Sequence, residues 1–430
     1  MSEGKLGILV GGGPAPGINS VIGAATIRGR VDGVEVLGIR DGFQWIMQGD
    51  TGHVVPLTIS EVSRIHLRGG SHLGTARANP TKDPKHLETT VQTLLKLGVS
   101  QLITIGGDDT AFSSMTVAKK AGGRLRVVHV PKTIDNDLDL PPYVDTFGYQ
   151  TARHIGTAVV QTLMTDAKTT SRWYLAVAMG RTAGHLALGI GNAAGATVTL
   201  IPEEFLGETL RLQTLVDTIA GSIVKRLSMG RPYGVAVIAE GLALSLDPAD
   251  LSDLGDVERD AHGHVRLAEL DLGDIVRKAV QARLKALGVS ITIASKNIGY
   301  ELRCADPIPF DIEYTRMLGY CATKFLLAGG HGAMVSMQAG KFVPIPFENM
   351  LDPKTGRARV RRVDISSTSY SIARRYMIRL RRDDFEDDEA VAKVAAATNL
   401  PPARFREEFE YLTNDEPPPI RIEPAGFAVE

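Results

Sequence analysis

The chain has 430 residues, 43% hydrophobic and 23% charged, with a formal net charge of −1. That length exceeds one small core and predicts two domains. The balanced charge excludes the broad basic excess that nucleic acid or an anionic membrane surface calls for, and leaves small anions held by local charge. The first expected strand, Lys5–Val10, ends in GGGPAPGIN at residues 11–19, and a helix over Ile18–Arg28 follows. Glycines there let backbone N–H groups approach an anion, and the helix start adds its positive dipole end. No Gly-Lys-Ser/Thr follows, and no acidic residue stands at the spacing of a dinucleotide fingerprint. A strand over Val34–Ile39 and a Gly-rich loop with GTAR at 74–77 lead to a helix over Pro84–Leu97. Arg77 is a candidate to neutralise a moving phosphoryl group.

The strand Gln101–Ile105 ends in GGDDT, residues 106–110. Asp108 has the hard oxygen ligand that Mg²⁺ prefers, and Thr110 is placed as the cap of a helix over Thr110–Ala121. The next strand, Val127–Val130, ends in PKTIDND, residues 131–137. Phosphoryl transfer to an alcohol needs a carboxylate to take the hydroxyl proton, a metal to offset phosphate charge, and cations around the moving group. Asp135 or Asp137 offers the first, and Lys132 a cation. Plain caps and Asx turns compete with this at each position, but they do not explain why GGDDT and PKTIDND end consecutive strands.

Further along come a helix over Tyr149–Asp166 and a strand over Tyr174–Ala178 that ends in MGRTAGH, with Gly180, Arg181 and His185. A helix over Ala183–Ala193, a strand over Thr197–Ile201 and a helix over Thr209–Ser228 follow. The strand Val235–Ile238 ends in AEG with Glu240, residues 247–265 read as a polar loop, and a helix covers Leu270–Leu287. GYELR, 299–303, offers Tyr300 and Arg303. Residues 357–382 are rich in arginine, an acidic run Asp383–Glu389 follows, and Pro417–Pro419 lies near the end. This arginine-rich stretch is read either as touching the sugar phosphate or an interface, or as a solvated helix face. Strands separated by helices of this length indicate βαβ units and a parallel sheet, with ligands at the C-terminal strand ends. Cys304 and Cys321 lack metal-ligand spacing and imply no disulfide framework. No apolar run is long enough for a bilayer and no secretion signal is read at the start, so a cytoplasmic location with no membrane and no nucleic-acid partner is expected.

In this order and at roughly this spacing, GGPAPGIN, GTAR, GGDDT, PKTIDND, MGR, AEG and GYELR resemble the 6-phosphofructokinases, over about residues 5–345. The resemblance implies two similar Rossmann-like three-layer α/β domains with parallel sheets and the active site in the cleft between them. The donor domain for pyrophosphate and Mg²⁺ would comprise 1–147 and 302–355. The sugar-phosphate domain would comprise 148–301 and 356–380, with 381–430 a C-terminal extension. Carried over by motif, Asp135 would be the general base and Asp108 would organise Mg²⁺. Gly13 and Arg77 would meet the donor phosphates. Thr133, Asp137, Met179, Gly180, Arg181, Glu240, Tyr300 and Arg303 would hold the sugar phosphate. Arg172, in TSRWY, matches an arginine lent across a subunit interface, which implies a homodimer or homotetramer with a shared site.

The family's ATP-dependent members typically read GGDGS and PGTIDND, whereas Asp109 and Lys132 stand here in place of the glycines. A glycine leaves room for a nucleotide. A carboxylate at 109 fills that room, and an ammonium at 132 supplies a cation where pyrophosphate oxygens would lie. Asp109, Thr110 and Lys132 are therefore placed on the donor side, as in the pyrophosphate-dependent branch. The expected reaction is reversible transfer from pyrophosphate to the 1-hydroxyl of fructose 6-phosphate. ATP as donor and sedoheptulose 7-phosphate as acceptor remain open alternatives. Retention of Asp135, Asp108, Arg77 and Arg181 argues against a regulatory subunit, and GGDDT argues against an oxidoreductase. Two positions depart from the family pattern: Pro14 stands where an aspartate is usual, and Lys296 is the cation nearest to an arginine expected before Tyr300.

Overall fold

The computed structural model describes residues 4–205, 209–251, 271–350 and 359–420. In chain order it runs β1 (Lys5–Val10), α1 (Ile18–Val31), β2 (Val36–Ile39), β3 (Val54–Leu57), α2 (Ile59–Val62), α3 (Pro84–Lys96), β4 (Val99–Gly106), α4 (Asp108–Ala121), β5 (Arg126–Pro131) and α5 (Tyr149–Thr170). Then come β6 (Trp173–Ala178), α6 (His185–Ala194), β7 (Val198–Leu200), α7 (Leu212–Ser228), β8 (Gly234–Ala239), α8 (Leu272–Ala286) and β9 (Ile293–Ile298). The chain continues through α9 (Tyr300–Arg303), α10 (Pro309–Leu327), β10 (Ala333–Met334), β11 (Met337–Gln338), β12 (Lys341–Phe342) and β13 (Ile345–Pro346). It closes with α11 (Thr368–Tyr376), α12 (Asp388–Ala395) and α13 (Pro402–Phe409).

Two compact units result. Unit 1 holds 1–155 and 299–361, and unit 2 holds 156–298 and 362–430. The chain crosses between them within α5, after β9 and after Arg361. Unit 1 carries a sheet in the order β13-β10-β5-β4-β1-β2-β3, parallel from β10 to β2 and antiparallel at both edges. Its inner strands read as continuous buried apolar runs, as parallel strands covered on both faces must; Leu6, Ile8, Ile103, Ile105, Val128 and Val130 are fully buried. α1 and α10 cross on one face so closely that a Cβ at Gly319 would meet the Val21 carbonyl oxygen at 2.6 Å. Unit 2 carries a wholly parallel sheet in the order β7-β8-β6-β9, with α7, α8 and the C-terminal helices completing its core.

Several local expectations shift. α4 begins at Asp108, not Thr110, because extended Gly107 stands at its cap and two acidic side chains fill its first turn, where the helix dipole favours them. α7 begins at Leu212, whose N–H is capped by the Asp250 carboxylate at 2.8 Å, a partner 38 residues away that sequence cannot show. β9 goes unread in sequence because its run IASKNI is half polar; it is an edge strand whose middle residues, Ser295, Lys296 and Asn297, are exposed. Of the polar segment 247–265, only 247–251 are described, with a 3-10 turn at Pro248–Leu251; Arg357 also lies outside the described residues. Residues 381–420 are packed into unit 2, with Phe385, Phe405 and Phe409 in its core. Among the described residues no helix is long and apolar enough to cross a membrane.

Candidate active site

Neighbouring parallel strands bring three loops of unit 1 to one level. Val10 pairs with Ile105 and Ile105 with Val130, so the residues after β1, β4 and β5 emerge side by side. Gly11 N–H donates to Ile105 O at 2.9 Å, and Lys132 N–H donates to Gly106 O at 2.8 Å. The GTAR loop is tied in as well. Gly11 bridges Ala76, Gly12 N–H donates to Ala76 O at 2.9 Å, and the Thr75 hydroxyl donates to Gly12 O at 2.6 Å. Gly12 needs its glycine, since its φ is +81°. Arg77 follows directly and is exposed.

Beneath these loops sits Thr110, 6% exposed. A Cβ on Gly11 would come within 2.5 Å of its hydroxyl oxygen, and one on Gly106 within 2.3 Å of its Cβ. The glycines of both motifs are thus required by one threonine as much as by any ligand. Thr110 packs against the loop backbones, while Asp108 is half-buried and Asp109 exposed on the first turn of α4.

His129 supports the same loop from below. It is fully buried, with its ring between the Thr104 hydroxyl and Gly106 O, each at 2.9 Å. Burial pushes its pKa down to about 3, despite the opposing Gly106 carbonyl, so it is neutral at physiological pH. A lone polar residue in the apolar run VVHV is the signal that marks it.

The Lys132 side chain is 4% exposed, and its Nζ donates to the Gly13 carbonyl. Burial pulls its pKa down to about 8; Asp135, Asp108 and Asp137 act against that and Arg303 with it. Arg303 comes from α9, its guanidinium 5.2 Å from the Tyr300 ring centre and 3.5 Å from where a Gly13 Cβ would stand. From sequence, Gly13 is assigned to the donor and Arg303 to the sugar phosphate; their atoms lie side by side. Two cations therefore flank one stretch of glycine backbone.

The loop bearing Asp135 is internally braced. Asp135 is 5% exposed, and its N–H donates to Thr133 Oγ1 at 3.0 Å. Asn136 has φ +57°, a left-handed conformation that asparagine tolerates. Its side chain donates to Asp145 at 2.9 Å and accepts the Thr146 N–H at 3.0 Å. Asp137 is buried beside it. Asp311, fully buried on α10, caps the start of α5 by accepting from Gly148 N at 2.9 Å and Thr151 N at 2.8 Å. Arg361 reaches the loop from the C-terminal end of unit 1.

Unit 2 gathers a second group. Glu240, after β8, accepts N–H bonds from Gly180 at 3.1 Å and Arg181 at 2.9 Å on one oxygen. It thereby holds Arg181 at φ +50° with its side chain exposed. Met179 is buried, and its N–H donates to Ile298 O at 3.0 Å. Arg172 is not brought to this loop: it precedes β6, whereas Met179–Arg181 follow it, and a six-residue strand spans about 20 Å. Lys296 lies mid-strand on β9, exposed. The arginine-rich stretch is in part internal bracing. Arg379 is 4% exposed and forks onto Glu204 at 2.6 and 2.9 Å.

Among the described residues no three or more His, Cys, Asp or Glu side chains cluster as a metal cage. The half-buried Asp108 carboxylate on the first turn of α4 suits the other mode of Mg²⁺ binding, in which one or two carboxylates share the ion with phosphate oxygens.

The fold, two α/β units with largely parallel sheets, is that of the phosphofructokinases. The pattern described as "Phosphofructokinase" matches residues 5–326. A solved phosphofructokinase from Saccharomyces cerevisiae superposes with a TM-score of 0.65 at 19% identity, over 95% of this chain; this chain spans half the length of that one. The pyrophosphate--fructose 6-phosphate 1-phosphotransferase of Thermotoga maritima is 52% identical over 414 residues, covering 95% of this chain and 99% of the relative. The protein of the same name from Naegleria fowleri is 51% identical over 416 residues, covering 95% of each. The chain belongs to the phosphofructokinase family.

Proposed function

We propose that the chain transfers a phosphoryl group from pyrophosphate to the 1-hydroxyl of fructose 6-phosphate, reversibly and with Mg²⁺, giving fructose 1,6-bisphosphate and phosphate. The observation that carries this is Lys132: an ammonium buried beside the Gly13 carbonyl, three residues before a buried aspartate. A buried cation asks for an anion, and a compact one on a glycine-lined loop fits pyrophosphate oxygens better than a nucleotide base. The full-length relatives that bear the pyrophosphate name support the same choice.

In this scheme Asp135 takes the proton of the 1-hydroxyl as that oxygen bonds to the nearer phosphorus of pyrophosphate. The bridging P–O bond breaks, its electron pair leaving with phosphate. Lys132, Arg77 and the Gly11–Gly13 backbone hold the donor oxygens, and Arg303 adds charge beside Gly13. Asp108 would hold Mg²⁺, which when bound offsets phosphate charge. The Met179–Arg181 loop, braced by Glu240, would bind the sugar phosphate with Thr133, Asp137 and Tyr300. Arg172, far from that loop in its own chain, fits a role completed by a second copy in a dimer or tetramer. The donor is an anhydride and its leaving group is phosphate, while the acceptor gains a second phosphate ester, so the reaction would run in both directions.

The test is product formation from fructose 6-phosphate and Mg²⁺ with pyrophosphate in one reaction and ATP in another. Activity with pyrophosphate alone supports the reading; activity with ATP alone overturns the donor choice. Silence in both would call for sedoheptulose 7-phosphate as acceptor. Asp135→Ser should reduce turnover by at least ~100-fold, the lower range for a general base.

A further inference from the structure

Arg361 is the last residue of unit 1, and it lies 225 residues from the loop that it grips. The segment 359–361 lies antiparallel to the chain just after Asp135. Val360 pairs with Leu138, Arg361 N–H donates to Asp137 O at 2.8 Å, and Arg359 stands 3.5 Å from Asp139. The guanidinium then reaches inward. Its Nε donates to Asn136 O at 3.1 Å, one Nη to Val144 O at 2.8 Å, and the other Nη to the Asn136 side-chain oxygen. All these acceptors are neutral oxygens within 136–144. Arginine is used here as a rigid fork of donors, which a lysine ammonium cannot reproduce.

The grip falls on the residue between the two aspartates. Asn136 is left-handed, a conformation that asparagine adopts at small cost and that the surrounding hydrogen bonds fix here. Arg361 binds both its backbone carbonyl, on the peptide that joins it to Asp137, and its side-chain oxygen, so releasing the guanidinium loosens the turn directly after Asp135. We propose that Arg361 is a positioning residue for phosphoryl transfer, fixing the Asn136 peptide and hence the aim of the Asp135 carboxylate without touching substrate. This rests on Asp135 being the base.

The experiment compares steady-state kinetics, with pyrophosphate, fructose 6-phosphate and Mg²⁺, of the wild type, Arg361→Met, Arg361→Lys, Asp135→Asn and the double variant Asp135→Asn/Arg361→Met. A misplacement of about 1 Å can reduce turnover ~100-fold. Arg361→Met should therefore lower kcat ~10- to 100-fold with both KM values within ~3-fold, the signature of a lost transition-state interaction. Arg361→Lys should fall between. With the base already removed there is nothing left to aim, so Arg361→Met should lower kcat less than ~2-fold in the Asp135→Asn background, a non-additivity expected of residues that act as a unit.

Equal losses in both backgrounds would reduce Arg361 to a general structural brace and overturn the proposal. So would an unchanged kcat in Arg361→Met while Asp135→Asn is inactive. If Asp135→Asn keeps its kcat, the base assignment itself fails and the proposal falls with it, a result distinct from the other two. Should Arg361→Met not fold, Arg361→Lys and its double variant carry the same comparison.

Discussion

Lys132→Met should make the ligand-free protein more stable and a poorer user of pyrophosphate. Moving the Lys132 pKa from 10.5 to about 8 corresponds to roughly 3 kcal/mol of unfavourable burial at neutral pH. The hydrogen bond to Gly13 O returns about 1–2 kcal/mol of that. Methionine fills a similar volume without a charge, so a net gain of about 1–2 kcal/mol is expected, or about 2–8 °C in Tm at ~2–4 °C per kcal/mol for a domain of this size. The sign follows from the direction of the shift. The folded pKa lies below the unfolded one, so the folded state binds fewer protons between them. The penalty is complete below about pH 8 and fades as pH rises toward 10.5, so the variant's Tm advantage should vanish between those values and reverse toward pH 10.5, where the Gly13 hydrogen bond remains.

Pyrophosphate should reverse the ranking. Loss of one or two charged hydrogen bonds, at about 1.5–3 kcal/mol each, should raise KM for pyrophosphate ~10- to 100-fold or more. Added pyrophosphate should also raise the wild-type Tm well above its effect on the variant. Scanning calorimetry at pH 7 and pH 10, with and without pyrophosphate, reads both effects. A ligand-free Tm that falls at pH 7, or a KM that does not move, would refute the view of Lys132 as a buried cation awaiting the donor.

Three further outcomes are expected. His129 is neutral when folded, with its pKa about 3, and protonates when unfolded near 6.5. Its contribution is complete above about pH 6.5 and is lost as pH falls toward 3, about 2 kcal/mol between pH 7 and pH 5. Urea midpoints over that range should show this slope in the wild type and not in His129→Gln. Gly106→Ala would press a Cβ to 2.3 Å from Thr110; overpacking of this kind is expected to destabilise by about 1–3 kcal/mol and to reduce turnover ~100-fold by moving the Asp108 turn, and a variant with wild-type Tm and kcat would contradict the steric account. Glu240→Ala strips the acceptor from two loop N–H groups and should raise KM for fructose 6-phosphate ~10- to 100-fold, whereas Glu240→Gln, which keeps a carbonyl oxygen, should change it far less. Equal effects would mean that Glu240 serves the acceptor through its charge and not by bracing the loop.

Inner strands of unit 1 were legible because a parallel strand buried on both faces reads as an unbroken apolar run, and Gly-rich text marks its end: LGILVGGG, LITIGGDD and VVHVPKTID. Since ligands of such sheets gather at C-terminal strand ends, the same text singles out Gly13, Asp108, Lys132 and Asp135 as candidates. These signals are local, spanning a few residues whose chemistry is self-contained. Contacts that depend on distant partners left no such mark. Nothing near Thr110 says that two glycines from separate strands rest on it, and nothing near Asp311 says that it caps α5. Arg303 beside Gly13, and Arg361 on the Asn136 peptide, join segments hundreds of residues apart. An arginine in a run of arginines carries no direction in the sequence, because its reach is set by where the backbone returns and not by its neighbours. Backbone propensity and burial pattern are written residue by residue; the partner of a long polar side chain is chosen when the sheet brings remote strands into register.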